Sequence, residues 1–211
     1  MIRMLHRARG CHQRGQALLE MAMVLPILLL LILGTLEFGI AFDHNLTLEY
    51  ASREGARTGS ALANGGGPVT CSPASAASLT VDDNIVAAVE RVLTSDGSPI
   101  KIANVTEIRI YWVRSTTPVN TNGAETPGSV NRWTYTPGAG PVVNGTPLDF
   151  SPDLAMQGWP ACSRSNGVNP DSIGVSVRYT YNLQTSLGAL VSVVNFQMHD
   201  HTVMALNPTG K

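Results

Sequence analysis

Charge is scarce in this chain and unevenly placed. Asp, Glu, Lys and Arg make up 14% of its 211 residues. Residues 1–15 contain no acid, and no charge of either sign falls between Met21 and Leu36. There is no basic cluster beyond the N-terminus, which excludes the electrostatic footprint expected of a nucleic-acid binder. No Gly-x-Ser-x-Gly, His-Glu-x-x-His or phosphate-binding loop occurs, so the common hydrolase, metalloprotease and nucleotide-binding signatures are missing. No catalytic residue, metal site or cofactor is expected, and the chain does not read as an enzyme. With three cysteines and no second pair at ligand spacing, a zinc site is excluded as well.

What the chain does have is a long apolar run behind a basic leader. Arg3, Arg7, Arg9 and Arg14 precede Gly15, and RGQALLEMAMVLPILLLLILGTLEFGIAF follows from Arg14 to Phe42. As a helix, Met21 to Phe42 would span roughly 33 Å, about the thickness of a bilayer's hydrocarbon core. Positive charge before the run places the N-terminus in the cytoplasm and the body after Phe42 on the other side. Removing residues 1–15 takes away four arginines and no acid, leaving ten bases against fifteen acids and a formal charge of −5. The expected organisation is a leader over 1–15, a helix over 16–63 (membrane part 21–42, exported part 43–63) and an exported domain over 64–211.

Glu20 is out of place at the head of an apolar run, because a carboxylate at the edge of hydrocarbon is costly unless paired. Gly15-Gln16-Ala17-Leu18-Leu19-Glu20 resembles the processing site of type IV prepilins and pseudopilins. The resemblance implies cleavage between Gly15 and Gln16 by a membrane-embedded prepilin peptidase, with Glu20 as fifth mature residue. The new amine of a neighbouring subunit's first residue would then neutralise Glu20. Leu25-Pro26 followed by leucines, Leu36-Glu37-Phe38-Gly39 and Ala51-Ser52-Arg53-Glu54-Gly55-Ala56-Arg57 narrow the resemblance to the TadE-like family, minor pseudopilins of the tight-adherence (Flp) pilus. It covers about residues 14 to 63. Met21 after Glu20 departs from the tyrosine common in the major pilin of that system and argues for a minor component. Implied partners are the prepilin peptidase, other pilins and pseudopilins, an inner-membrane assembly platform and the lipid bilayer. The implied location is the bacterial inner membrane, with the C-terminal domain in the periplasm or carried into an extracellular pilus.

Two other readings stay open. An ordinary signal peptide cut near Gly39-Ile40-Ala41 would release a secreted enzyme or carbohydrate-binding domain, although Glu37 falls where that site would be read. An unprocessed single-pass envelope protein is the other. Pro26 removes one helix hydrogen bond and permits a bend. Glu37 lies about 25 Å along the helix from Glu20. Either its carboxylate meets water at the outer headgroup level, or it contacts a basic group on an adjacent protein. Ala51, Gly55 and Gly59 form a ridge of small residues at four-residue steps. That ridge would take a sheet, another subunit's helix, or only solvent. Cys71 and Cys162, the cysteines left after cleavage, are expected to pair on the exported side.

Past Ala63 the reading is α+β, a pilin-like domain with a second helix and a small antiparallel sheet. The helix is expected over Leu79 to Thr94, with Asp82 and Asp83 in its first turn where acids suit the dipole. Strands are expected near Thr106–Arg114, Arg132–Thr136, Ser172–Asn182 and Thr202–Leu206. Between Ser115 and Asn169 little periodicity is visible, and a long surface excursion is expected. Asp82-Asp83-Asn84 lacks calcium-loop spacing, and His199-Asp200-His201 reads as the solvated start of a strand.

Overall fold

The computed structural model describes residues 12–63, 76–113, 125–167, 169–186, 188 and 195–207. By contacts the chain forms two units. One comprises Met1–Ile40 with Leu183–Val194, the other Ala41–Asn182 with Asn195–Lys211.

The first unit is dominated by the start of α1, a continuous helix over His12–Leu62 with Pro26 inside it. Most of its large apolar side chains from Leu18 to Phe38 lie exposed, with Leu33 half-buried. The helix is long and apolar enough to cross a membrane, and none of its most apolar stretch is buried within the protein. Sequence alone explains its length: straight-chain apolar residues lose little rotamer freedom in a helix, and only one proline interrupts them.

The second unit is a two-layer α+β body. Five antiparallel strands lie in the order β5-β2-β1-β6-β7. They are β1 Val105–Val113, β2 Val130–Tyr135, β5 Phe150–Gln157, β6 Ser172–Asn182 and β7 Asn195–Ala205. A small hairpin, β3 Val142–Val143 with β4 Thr146–Pro147, stands between β2 and β5. Its turn is Asn144-Gly145, both at positive φ, the pairing a two-residue hairpin demands.

One face of the sheet is apolar. Ile108 and Ile110 on β1, Trp133 on β2 and Ile173, Val175 and Val177 on β6 are all buried. The last half of α1 and the second helix, α2 over Ala76–Leu93, cover that face. Leu48, Ala51 and Ala56 come from α1, and Ile85, Val86, Val89 and Leu93 from α2. The opposite face carries a lattice of charges at cross-strand spacing. Glu107 meets Arg109 at 2.8 Å and Arg178 at 3.1 Å, Arg109 meets Glu125 at 2.8 Å, and Arg132 pairs with Asp153.

Several expectations need correction. The second helix starts at Ala76, so no acid lies in its first turn; Asp82 has a different task, described below. The closing strand begins at Asn195 rather than Thr202 and runs in register with the whole of β6. The Ser115–Asn169 stretch contains β2, the hairpin and the edge strand β5. That strand escaped a period-2 reading because Pro152 interrupts it and its register slips between Asn131 and Trp133. Gly65-Gly66-Gly67-Pro68, a run whose glycines and proline are expected to end the first helix, and Cys71 lie outside the described residues. α1 ends at Leu62, and Ala63 closes it at φ 47° with its N–H on the Gly59 carbonyl at 2.9 Å.

Candidate functional site

The candidate site is α1 itself, read from its N-terminus. Gly15 is exposed and helical, with no atom near the place a side chain would occupy. Glu20 is exposed one turn on, and Gln16 Nε2 donates to its Oε1 at 3.2 Å. Among the described residues that is the carboxylate's one hydrogen bond. Pro26 sits inside the uninterrupted helix. Thr35 donates its hydroxyl to the Leu31 carbonyl at 2.8 Å, which hides a polar group from an apolar surround.

Glu37 behaves differently from Glu20. It is buried, and its two oxygens accept consecutive backbone N–H groups, Gln184 at 2.9 Å and Thr185 at 2.8 Å. The carboxylate therefore does not simply face water, as one reading held. Gln184 and Thr185 carry no sequence signal for this role, because the bond is to backbone. No pattern search could have found them.

The Ala51, Gly55 and Gly59 ridge is filled from within the chain. A methyl on Gly55 would lie 2.6 Å from Val89 Cγ2 and 3.0 Å from Val175 Cγ1. One on Gly59 would lie 2.6 Å from Ile173 Cδ1. The glycines thus let α1 pass between α2 and β6. Beside them, buried Ser52 donates to Asp200 Oδ2 at 2.6 Å and lies 2.9 Å from Thr202 Oγ1. Asp200 therefore faces the helices, while His199 and His201 project together on the other face with their rings 6.3 Å apart. The His-Asp-His run lies well inside β7 rather than at its start.

A second polar centre lies at α2. Arg164 meets Asp82 at 2.5 Å, Asn131 donates to the other Asp82 oxygen at 2.6 Å, and the guanidinium stacks 4.6 Å from the Trp159 ring centroid. Burial pushes the Asp82 carboxyl up, against the pull of Arg164 and Asn131. Asp83 is pushed up to about 6, first by burial and then by the charge of Asp82. This centre is structural, since it holds the 159–164 loop to α2. Cys162 in that loop is disulfide-bonded, and its expected partner Cys71 lies outside the described residues.

Among the described residues no three His, Cys, Asp or Glu side chains gather as a metal set. A groove of about 460 Å³ is lined by Thr58, Asn84, Glu90, Arg91, Asn144 and Leu148, among others. Its Glu90 carboxylate is already engaged by the Asp149 N–H at 3.0 Å.

The stretch that carries Gly15, Glu20, Pro26, Glu37, Ala51 and Gly55 is also the stretch that finds a match. Residues 15–57 match the family of TadE-like proteins. Over that stretch the chain is similar to that family. Neither the curated proteins nor the solved structures gave a match. The TadE-like segment begins on Gly15 and ends on Arg57, so it takes in the apolar run and two of the three ridge residues. It associates the chain with the Tad pilus and with partners of that system in general.

Proposed function

We propose that this protein is a minor pseudopilin that takes part in assembling a tight-adherence pilus and has no enzymatic role. Prepilin peptidase trims it between Gly15 and Gln16. α1 then holds it in the inner membrane, with the cytoplasm at its N-terminus and the body outside. Assembly proceeds by stacking α1 against the corresponding helices of other pilins, pseudopilins or the assembly platform, with Glu20 taking up a neighbour's new N-terminal amine. A bridge between Cys71 and Cys162 secures the exported body.

The observation that carries this reading is the exposed apolar length of α1, unburied by the rest of the chain and headed by an exposed acid five residues past Gly15. An uncovered surface of that size needs lipid or other helices. Cleavage near Ala41, as for a secreted enzyme, would sever α1 and discard Glu37 together with the apolar length.

N-terminal sequencing of the protein purified from its native membrane tests the reading. A start at Gln16 that is lost in Gly15→Ala supports it. A start at Phe42, or an intact Met1, rejects it in favour of a secreted protein or a plain membrane anchor.

A further inference from the structure

The sheet has two edges, and they are finished differently. β5 at one edge carries Pro152, and its register against β2 slips between Asn131 and Trp133. Both features spoil a strand for further pairing. β7 at the other edge runs 11 residues in unbroken register with β6. It contains no proline, glycine or lysine. Its one acid, Asp200, faces the helices and accepts the Ser52 hydroxyl, so it does not guard the edge.

The direction of each backbone group on β7 follows from one bond. Leu206 N–H donates to the Asp171 carbonyl at 2.8 Å, one step beyond the Ser172–Ala205 pair. Bonding alternates along an antiparallel ladder, so the even-numbered residues of β7 turn their N–H and C=O groups to β6. The odd-numbered residues turn theirs outward. The C-terminal end obeys this rule. There the Ala205 carbonyl accepts the Ser60 hydroxyl at 2.6 Å, and Asn207 N–H donates to the Ser60 carbonyl at 3.0 Å. At the N-terminal end Asn195, Gln197 and His199 are exposed, and among the described residues no backbone group bonds their outward N–H and C=O groups.

We propose that the Asn195–His199 edge of β7 is a docking site for an extended segment of a partner protein. That segment joins the sheet as a further strand, with side chains alternating between apolar and acidic. In strand addition the backbone supplies affinity and the alternate side chains supply specificity. The two sides of this edge differ. On the helix side stand Phe196, 40% exposed, and half-buried Met198. On the outer side His199 lies opposite Arg178, whose side chain is 41% exposed. An apolar residue suits the first side and a carboxylate the second.

A second copy of the chain is the poorer occupant. α1 runs beside β7 in the same direction, since Ser52 meets Asp200 and Ser60 meets Ala205. Two copies joined antiparallel through β7 would carry their α1 helices in opposite directions. Helices anchored in the same sense in one membrane do not run so. That exclusion rests on the membrane reading above, whereas the open edge is independent of it and of cleavage at Gly15.

The test uses the full chain in detergent, with hydrogen exchange read residue by residue. The probe is a synthetic peptide that alternates glutamate and valine. The expected result is exchange slowed about tenfold at Gln197 and His199 and unchanged at Met198, whose N–H already faces β6. A lysine–valine peptide should protect the same amides several-fold less. His199→Pro deletes an outward N–H, so it should abolish protection while leaving the unfolding midpoint near that of the parent. Exchange that ignores the glutamate peptide, or that both peptides slow equally, would overturn the proposal. So would protection of these amides that grows with protein concentration in the absence of peptide, since a second copy would then hold the edge. The two peptides on the parent chain decide the matter even where His199→Pro does not fold.

Discussion

Asp82 and Arg164, 82 residues apart in sequence, meet at 2.5 Å with side chains 2% and 0% exposed. The pair is fully withdrawn from water, and two of the guanidinium's nitrogens, Nε and Nη1, have no partner among the described residues. Such a pair is weak evidence for stability as a pair, yet breaking it leaves one charge stranded.

Arg164→Ala is therefore expected to destabilise the α+β body by about 3–5 kcal/mol. Asp82→Leu combined with Arg164→Met should recover most of that loss. Urea unfolding of the full chain in detergent, followed by tryptophan fluorescence, measures both, because Trp159 stacks on Arg164. Equal stability of Arg164→Ala and the parent would contradict the assignment.

Asp83 yields a pH dependence of definite sign. Its folded pKa is raised from 3.8 to about 6, so between those values the folded state holds more protons than the unfolded one. Stability then falls as pH rises through that window, and the penalty is complete above about pH 6. Asp83→Asn should raise stability at pH 7 by on the order of 1 kcal/mol, after discounting for the group's partial exposure. The gain should vanish as pH drops through the window. A gain that stays constant down to pH 3.5 would argue against burial as its cause.

The two ridge glycines should respond differently to alanine. At Gly55 the obstruction is Val89 Cγ2 at 2.6 Å, on a stiff β-branched side chain. At Gly59 it is the terminal Ile173 Cδ1, which can rotate away. Helix propensity favours alanine by up to about 1 kcal/mol at either place. Gly59→Ala is thus expected near neutral and Gly55→Ala destabilising by about 1–2 kcal/mol, read as a difference between the two unfolding midpoints.

Gly174 stands where the Tyr111 ring crosses the outer face of the sheet. A methyl there would lie 2.3 Å from the ring's Cε2 and Cζ, and Tyr111 is itself buried. Gly174→Ala should cost about 1–3 kcal/mol by overpacking, and Tyr111→Leu in the same chain should relieve part of it. An additive double mutant would show that the two sites do not interact.

Much of the fold was legible because its signals are local. The apolar run and the alternation of Ser172–Asn182 each rest on neighbours within a turn or two. The bounds of β6 coincide with expectation, since Ile173, Val175, Val177, Tyr179 and Tyr181 alternate without a break. β5 was not legible, because an edge strand needs only one partner and tolerates Pro152. Asp82 was misassigned for a similar reason. An acid near a helix start has a local explanation, and the true one, Arg164 and Asn131, lies on other elements.

The sequence by itself determined α1 and the places of Gly15 and Glu20 within it, and with them the match of residues 15–57 to TadE-like proteins. Helix formation and hydropathy are short-range properties that tertiary context could not reverse over so long a run. Only the tertiary structure decided what the acids and glycines touch. Glu37 found backbone N–H groups 147 and 148 residues away, Asp82 found a buried arginine, and the Gly55–Gly59 ridge received α2 and β6 of its own chain. Those partners are chosen by which surfaces meet when the sheet closes on the helices, and no periodicity along the chain encodes that meeting.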